Sequence, residues 1–291
     1  MSAAQPPIQI ISSLSEIAGR YNAIICDVWG VLHNGETPYP GADQALKAYR
    51  ETGGKVVLLT NAPRPAYVVE AQLERIGIDR QAYDGILSSG DATRHLLQER
   101  GALGQKCFHL GPEKDADLVA GLDIEFTDID AADFILLSGL YDDSVETPAD
   151  YAEAMQDWLA QGKQLVCSNP DRMVQVGGKI LYCGGAVAEI YENNGGDVVW
   201  LGKPYQEVYR LARLLLADMQ GCSPDEVTPL AIGDGPKTDI PGAENAGIDA
   251  LFITGGLAGA LGRDLGSVEA IETVLGEENT RAAYAQHYLK W

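Results

Sequence analysis

Asp27 closes an apolar run, AIICD, and a glycine follows three residues later at Gly30. In an open parallel sheet, ligands bind just past the carboxyl ends of the strands, which is where such a carboxylate lies. Beside a divalent cation it can attack phosphorus or ligate the cation itself. A second carboxylate, Asp234, closes another apolar run in AIGDGPKTD, and Asp239 follows across a Gly/Pro turn. Oxygen donors suit a hard cation such as Mg²⁺, and Asp27 and Asp234 are placed to share one ion. Asp239 is placed to cap the helix that follows and to support a lysine. That lysine is Lys203, held between a glycine and a proline in LGKP after the run VVWL. It can neutralise a phosphoryl oxygen and a nearby carboxylate, while Pro204 suits the first turn of a helix over Tyr205–Met219. Thr60 and Asn61, in LLTNAPR, offer a hydroxyl and turn N–H groups as an anion cradle. Taken singly, these are ordinary turn residues and a surface lysine; their order makes them a pattern.

The elements that must position them are legible as alternating runs. Strands are expected at 23–27, 55–60, 85–89, 106–110, 133–138, 164–168, 198–201, 228–233 and 250–254. Amphipathic stretches at 42–52, 64–76, 92–100, 148–161 and 205–219 lie between them, and this strict alternation argues for an α/β protein with parallel sheet. The segment 267–291 reads as one or two helices. The motif-bearing strands form an early and a late block, and the middle block has its own strands and helices without those motifs. One domain is therefore inserted into another, with crossings near 101–104 and 193–196. Asn169-Pro170-Asp171 in the middle block reads as a turn before a helix, and Gly184-Gly185 opens an amphipathic stretch.

Lys and Arg number 21 against 42 Asp and Glu, a net charge of −21 that repels nucleic acid and anionic lipid, so any phosphate must be held by a local site. No apolar run is long enough to span a membrane, and the first residues lack a basic start with an apolar signal core. A cytoplasmic protein is expected. The five cysteines are widely spaced without a CxxC, which fits reduced thiols, and Cys26 is expected to be packed in its strand.

The order Asp27, Thr60, Lys203, Asp234, Asp239 resembles the haloacid dehalogenase (HAD) superfamily, most of all its class IIA branch of NagD-like and 4-nitrophenylphosphatase-like phosphatases. ILSSGDAT (86–93), SNPDR (168–172) and GAENAGIDALFITGG (242–256) resemble segments of that branch, so the resemblance covers nearly the whole chain. It implies a doubly wound parallel-sheet core, residues 1–102 and 195–291, with a large α/β cap, residues 103–194, inserted between the second and third motifs. It implies that Asp27 is the nucleophile, that Thr60, Asn61 and Lys203 bind the transferring phosphoryl group, and that Lys203 balances charge. It also implies Mg²⁺ held by Asp27, Asp234 and the backbone carbonyl of Trp29, with Asp239 outside them or beside Lys203. The expected partner is a small phosphorylated metabolite, and a homodimer is compatible with the sequence.

The sequence departs from the family pattern at Trp29, where an Asp is expected to protonate the leaving alkoxide and then activate water. An indole does neither. Loss of such help slows a reaction about 10²–10⁴-fold, so slow turnover is one expectation. A phosphorylated-metabolite sensor that has lost turnover is the other. His33 is a candidate substitute proton donor, or else a plain loop residue. A phospho-accepting receiver also uses Asp, Thr and Lys around Mg²⁺. There the acidic pair precedes the acceptor, whereas here Asp234 and Asp239 come last.

Overall fold

A computed structural model describes residues 7–99 and 106–291. Its strands are β1 (Gln9–Ile10), β2 (Ala23–Cys26), β3 (Lys55–Thr60), β4 (Gly85–Ser88), β5 (Lys106–Leu110), β6 (Glu125–Phe126) and β7 (Phe134–Leu137). They continue with β8 (Gln164–Cys167), β9 (Met173–Val176), β10 (Lys179–Tyr182), β11 (Asp197–Trp200), β12 (Pro229–Gly233), β13 (Asp249–Ile253) and β14 (Tyr284–Gln286). The chain divides into two compact units: Met1–Leu59, Gln72–Ile86 and Lys203–Trp291 form the first, and Thr60–Ala71 with Leu87–Gly202 the second.

The first unit is built on a seven-stranded sheet of order β1-β14-β13-β12-β2-β3-β4. The pairings from β1 across to β3 are parallel. Every residue of β2 and β12 is buried, as is all of β3 except Lys55, so these strands read as continuous apolar runs, as strands covered on both faces do. The helix Ala42–Glu51 buries Ala42, Ala45, Leu46 and Tyr49, the spacing of a single apolar helical face. From β2 the chain order runs outward through β3 and β4 on one side and through β12, β13 and β14 on the other, with β1 added at the far edge, so the boundary between β2 and β12 is a topological switch point, the usual ligand position of such sheets.

The second unit holds a five-stranded parallel sheet of order β11-β8-β7-β5-β6. Leu137, Tyr151, Trp158, Leu165, Val187 and Tyr191 fill one of its cores. An antiparallel pair, β9 with β10, follows β8.

Two expectations need correction, and one falls on residues the structure does not describe. The apolar run 198–201 was grouped with the late core block because LGKP follows it. As β11 it pairs with β8 instead, so 195–202 goes with the second unit. The expected boundary at 102/103 and the crossing at 101–104 lie outside the described residues. In the C-terminal segment only 268–277 is helical, and Tyr284–Gln286 forms β14, wedged between β1 and β13. Three residues are too few to show a strand period; pairing on both edges supplies the stability. No helix among the described residues is long and apolar enough to cross a membrane.

Within the second unit Asp115 is 2% exposed, in the helical turn Glu113–Leu118 after β5. Burial pushes its carboxyl up to about 6, against the pull of Arg64 and the Ser138 hydroxyl. The unfolded chain releases this proton near its ordinary value and the folded chain only near 6, so Asp115 lowers stability as pH rises through that window. Between about pH 4 and pH 6 the stability of Asp115→Asn relative to wild type should rise by up to about 3 kcal/mol and then level off. Urea unfolding across this range checks it; a pH-independent difference contradicts it.

Candidate active site

Strand register brings the first two carboxylates together. Cys26 of β2 pairs with Ile232 of β12, and the N–H of Asp27 donates to the Ile232 carbonyl at 2.8 Å. Asp27 therefore leaves β2 opposite Gly233, one residue before Asp234. Asp239 opens the helix Asp239–Asn245. Carboxylate oxygens of Asp27, Asp234 and Asp239 lie within 4.8 Å of one another, and all three residues are buried.

Lys203 joins them, itself only 3% exposed. Its Nζ donates to Asp27 Oδ1 at 2.5 Å and to Asp239 Oδ1 at 2.8 Å. Asp239 Oδ2 accepts the N–H of Gly235 at 3.0 Å, which closes the Gly/Pro turn. Thr238 takes the N-cap position, so Asp239 supports Lys203 and the turn instead of capping the helix. Pro204 lies just before the N-cap Tyr205 of the helix Gln206–Gln220, not in its first turn. Burial, then the Asp239 carboxylate, push the Asp27 carboxyl well above its ordinary range, while the Lys203 ammonium pulls it back.

When all three carboxylates are ionised they face one ammonium, a local excess of two negative charges away from water, and it is burial together with this crowding that raises Asp27. Buried charge of this kind is costly unless balanced. A divalent cation matches both the excess and the all-oxygen donor set. Asp27 and Asp234 fit as its holders, because Asp239 already serves Lys203 and Gly235. The 29–30 peptide fits as well: a Cβ at Gly30 would stand 1.9 Å from Asp234 Oδ2, and φ of Gly30 is +84°. The backbone carrying the Trp29 carbonyl is pressed against Asp234 because residue 30 has no side chain. The same Asp234 oxygen, Oδ2, accepts the N–H of Leu257 at 2.6 Å.

The indole of Trp29 packs over the loop that follows. A Cβ at Gly35 would stand 2.5 Å from its Cζ2, and its ring meets the His33 ring edge-on at 5.0 Å between centroids. His33 is buried, its Nδ1 accepts the Gly35 N–H, and burial lowers its pKa to about 4. Packed against Trp29 and bonded to the Gly35 N–H, His33 fits the plain loop residue better than the substitute acid. Cys26 is buried with its thiol pushed well up, the packed residue expected.

Thr60 and Asn61 belong to the second unit and are both buried. Thr60 ends β3, and its Oγ1 accepts the Ala62 N–H at 3.2 Å, so its hydroxyl hydrogen points elsewhere as a donor. Sequence reasoning missed the backbone of Gly30 and Leu257 and the Tyr209 hydroxyl, which donates to the Asp239 carbonyl at 3.1 Å. Only Gly30 left a signal, the glycine soon after Asp27; Leu257 acts through a main-chain N–H that residue identity does not report, and Tyr209 lies 30 residues from Asp239 inside an ordinary amphipathic helix.

A family model described as haloacid dehalogenase-like hydrolase matches residues 24–125, and one described as HAD-hydrolase-like matches residues 200–270. The crystal structure of a hydrolase of the haloacid dehalogenase-like family from Brucella suis 1330 superposes with a TM-score of 0.85 at 37% identity, covering 96% of this chain and 100% of that one. D-glycerol 3-phosphate phosphatase from Mycobacterium tuberculosis is 28% identical over 283 residues, 95% of this chain and 72% of that protein. The structure of glycerol phosphate phosphatase from Mycobacterium tuberculosis in complex with magnesium is 25% identical with a TM-score of 0.65, covering 96% of this chain and 77% of that one.

Removing the ammonium should expose the charge imbalance directly. Lys203→Met is expected to destabilise the metal-free protein by about 3–5 kcal/mol, the cost of breaking a buried ion pair from one side. Denaturant unfolding with a chelator present measures it; a loss below about 1 kcal/mol, the range of a surface pair, contradicts it.

Proposed function

This chain belongs to the haloacid dehalogenase-like hydrolase family, and we propose that it hydrolyses a small phosphate monoester, with Mg²⁺, through a phosphorylated Asp27. The observation that carries this reading is the buried set of Asp27, Asp234 and Asp239 bound to one lysine. A nucleophile, its counter-ion and a cation-binding carboxylate lie together at a sheet's switch point. The likeness to a D-glycerol 3-phosphate phosphatase supports a small phosphorylated metabolite as the substrate.

Asp27 carries the covalent step. One of its carboxylate oxygens attacks phosphorus, the bond from phosphorus to the ester oxygen breaks, and the ester oxygen leaves with the electron pair as an alkoxide that takes a proton from water. Lys203, held by Asp27 and Asp239, offsets the charge gathering on the phosphoryl oxygens. Thr60 and Asn61 are assigned to those same oxygens. A cation held by Asp27, Asp234 and the Trp29 carbonyl supplies charge neutralisation and polarises the phosphoryl group. Water then attacks phosphorus in the aspartyl-phosphate, which frees phosphate and restores the Asp27 carboxylate.

Proton handling is where this chain is poor. Trp29 offers no proton to the leaving oxygen and no base for water, and His33 is packed in its loop. Both steps then rely on bulk water, so turnover is slow and is least impaired where the leaving group needs no proton. The same substitution favours a second reading, a sensor that binds a phosphorylated metabolite and turns it over negligibly.

With 4-nitrophenyl phosphate and Mg²⁺, rapid quench and mass spectrometry should find one phosphoryl group on Asp27, and Asp27→Asn should abolish it together with hydrolysis. Activity surviving in Asp27→Asn contradicts covalent catalysis. Trp29→Asp should raise kcat/KM for alkyl phosphates about 10²–10⁴-fold and for aryl phosphates much less, because only alkoxides need the restored acid. The alkyl-to-aryl ratio in folded, Mg²⁺-saturated protein is the readout. A ratio that is unchanged or falls removes Trp29 as the cause of slow turnover.

A further inference from the structure

Asn61 is 2% exposed, and its carboxamide is enclosed within the second unit. Its Nδ2 donates to Asp171 Oδ1 at 2.8 Å. Ser89 Oγ directs its single hydrogen to the Leu201 carbonyl at 2.8 Å and lies 3.4 Å from Asn61 Oδ1, so the short bond to Asp171 is the one that orients the carboxamide. An ionised carboxylate only accepts, so Asp171 determines which end of the carboxamide faces it. A hydrogen bond to a charged partner is also roughly twice as strong as a neutral one.

Asp171 is itself held by its surroundings. Its N–H donates to Asn169 Oδ1 at 3.3 Å, and its carbonyl accepts the Gly185 N–H at 3.1 Å. A Cβ at Gly185 would stand 2.2 Å from the Pro170 carbonyl oxygen, so the turn Asn169-Pro170-Asp171 lies flat against the start of the helix Gly184–Asn193. Gly202 completes the surround: a Cβ there would stand 2.2 Å from Ser89 Oγ and 2.5 Å from Asn61 Oδ1. The turn and the glycine pair, which had no role as sequence motifs, thus form the mount for Asp171.

We propose that Asp171 is a positioning residue for the phosphoryl-binding Asn61, fixing the orientation of its carboxamide from 110 residues further along the chain. The proposal rests on the phosphatase reading for its effect on turnover, and on the bond alone for its structural part. Misplacing a substrate-orienting group by about 1 Å lowers a rate about 10²-fold. Asp171→Ala frees the carboxamide to rotate. Asp171→Asn keeps an acceptor oxygen of the same reach, so it restores most of the orientation.

The test is a double-mutant cycle on the full chain with Mg²⁺, read as kcat/KM for 4-nitrophenyl phosphate and as affinity for inorganic phosphate. Asp171→Ala and Asn61→Ala should each lower kcat/KM about 10- to 100-fold, and the double variant should be no worse than the poorer single one. Asp171→Asn should lie within about threefold of wild type, well inside the range of one hydrogen bond. Losses that multiply in the double variant, or an Asp171→Ala protein with wild-type kinetics, overturn the proposal, because a residue that merely stabilises the fold acts independently of Asn61. The NMR signals of the Asn61 side-chain amide in ¹⁵N-labelled protein provide a readout free of turnover. They should move in Asp171→Ala and return toward wild type in Asp171→Asn; unmoved signals overturn the proposal. A wild-type protein that neither hydrolyses the ester nor binds phosphate removes the phosphatase reading, and the amide signals then decide the positioning role.

Discussion

Lys203 stands between two buried carboxylates, and a third, Asp234, lies within reach of the same space. One positive charge against three negative ones, away from water, is an unfavourable arrangement for a folded protein to keep. The rest of the first unit serves to hold it. Parallel pairing of β2 with β12 sets Asp27 and Asp234 one residue apart in register. The Gly235 amide holds the Asp239 carboxylate and the Leu257 amide that of Asp234, while the Tyr209 hydroxyl anchors the Asp239 main chain. None of these groups carries a full positive charge. They orient the carboxylates without neutralising them, which is what a site built to receive a cation requires.

The same packing explains why Trp29 is tolerated next to the nucleophile. What Asp234 needs from this stretch is the bare backbone of Gly30. The side chain at position 29 is consequently released from that contact, and here it packs on Gly35 and His33 in the loop beyond. In the proposed chemistry, binding and proton transfer are separable. Backbone and carboxylates at the strand ends serve binding, and a single side chain on the next loop decides how well protons are handled.

Much of this was legible in the residues. β2, β3 and β12 are covered on both faces, so each had to be a continuous apolar run, and the ends of those runs marked Asp27, Thr60 and Asp234. Three other features left weak traces. β1, β6 and β14 are two or three residues long and exist only because partners pair with them. The β9–β10 hairpin is half exposed, so no buried run announced it. β11 reads like a core strand and follows the same alternation, and only its pairing with β8 assigns it. At the site, the lysine and its carboxylate stand 176 residues apart, a closeness that spacing does not encode. Asp171 read as a turn residue because its partner, Asn61, lies 110 residues away in the chain.

The charge imbalance among Asp27, Asp234, Asp239 and Lys203 is the central claim, and a calorimetric titration of Mg²⁺ into metal-free protein tests it most directly. Wild type should bind one ion saturably, and Asp234→Asn, which removes one negative charge and little volume, should bind it at least about tenfold more weakly, a difference of about 1.4 kcal/mol. Equal affinity in the two proteins, or no binding to wild type, would contradict the account.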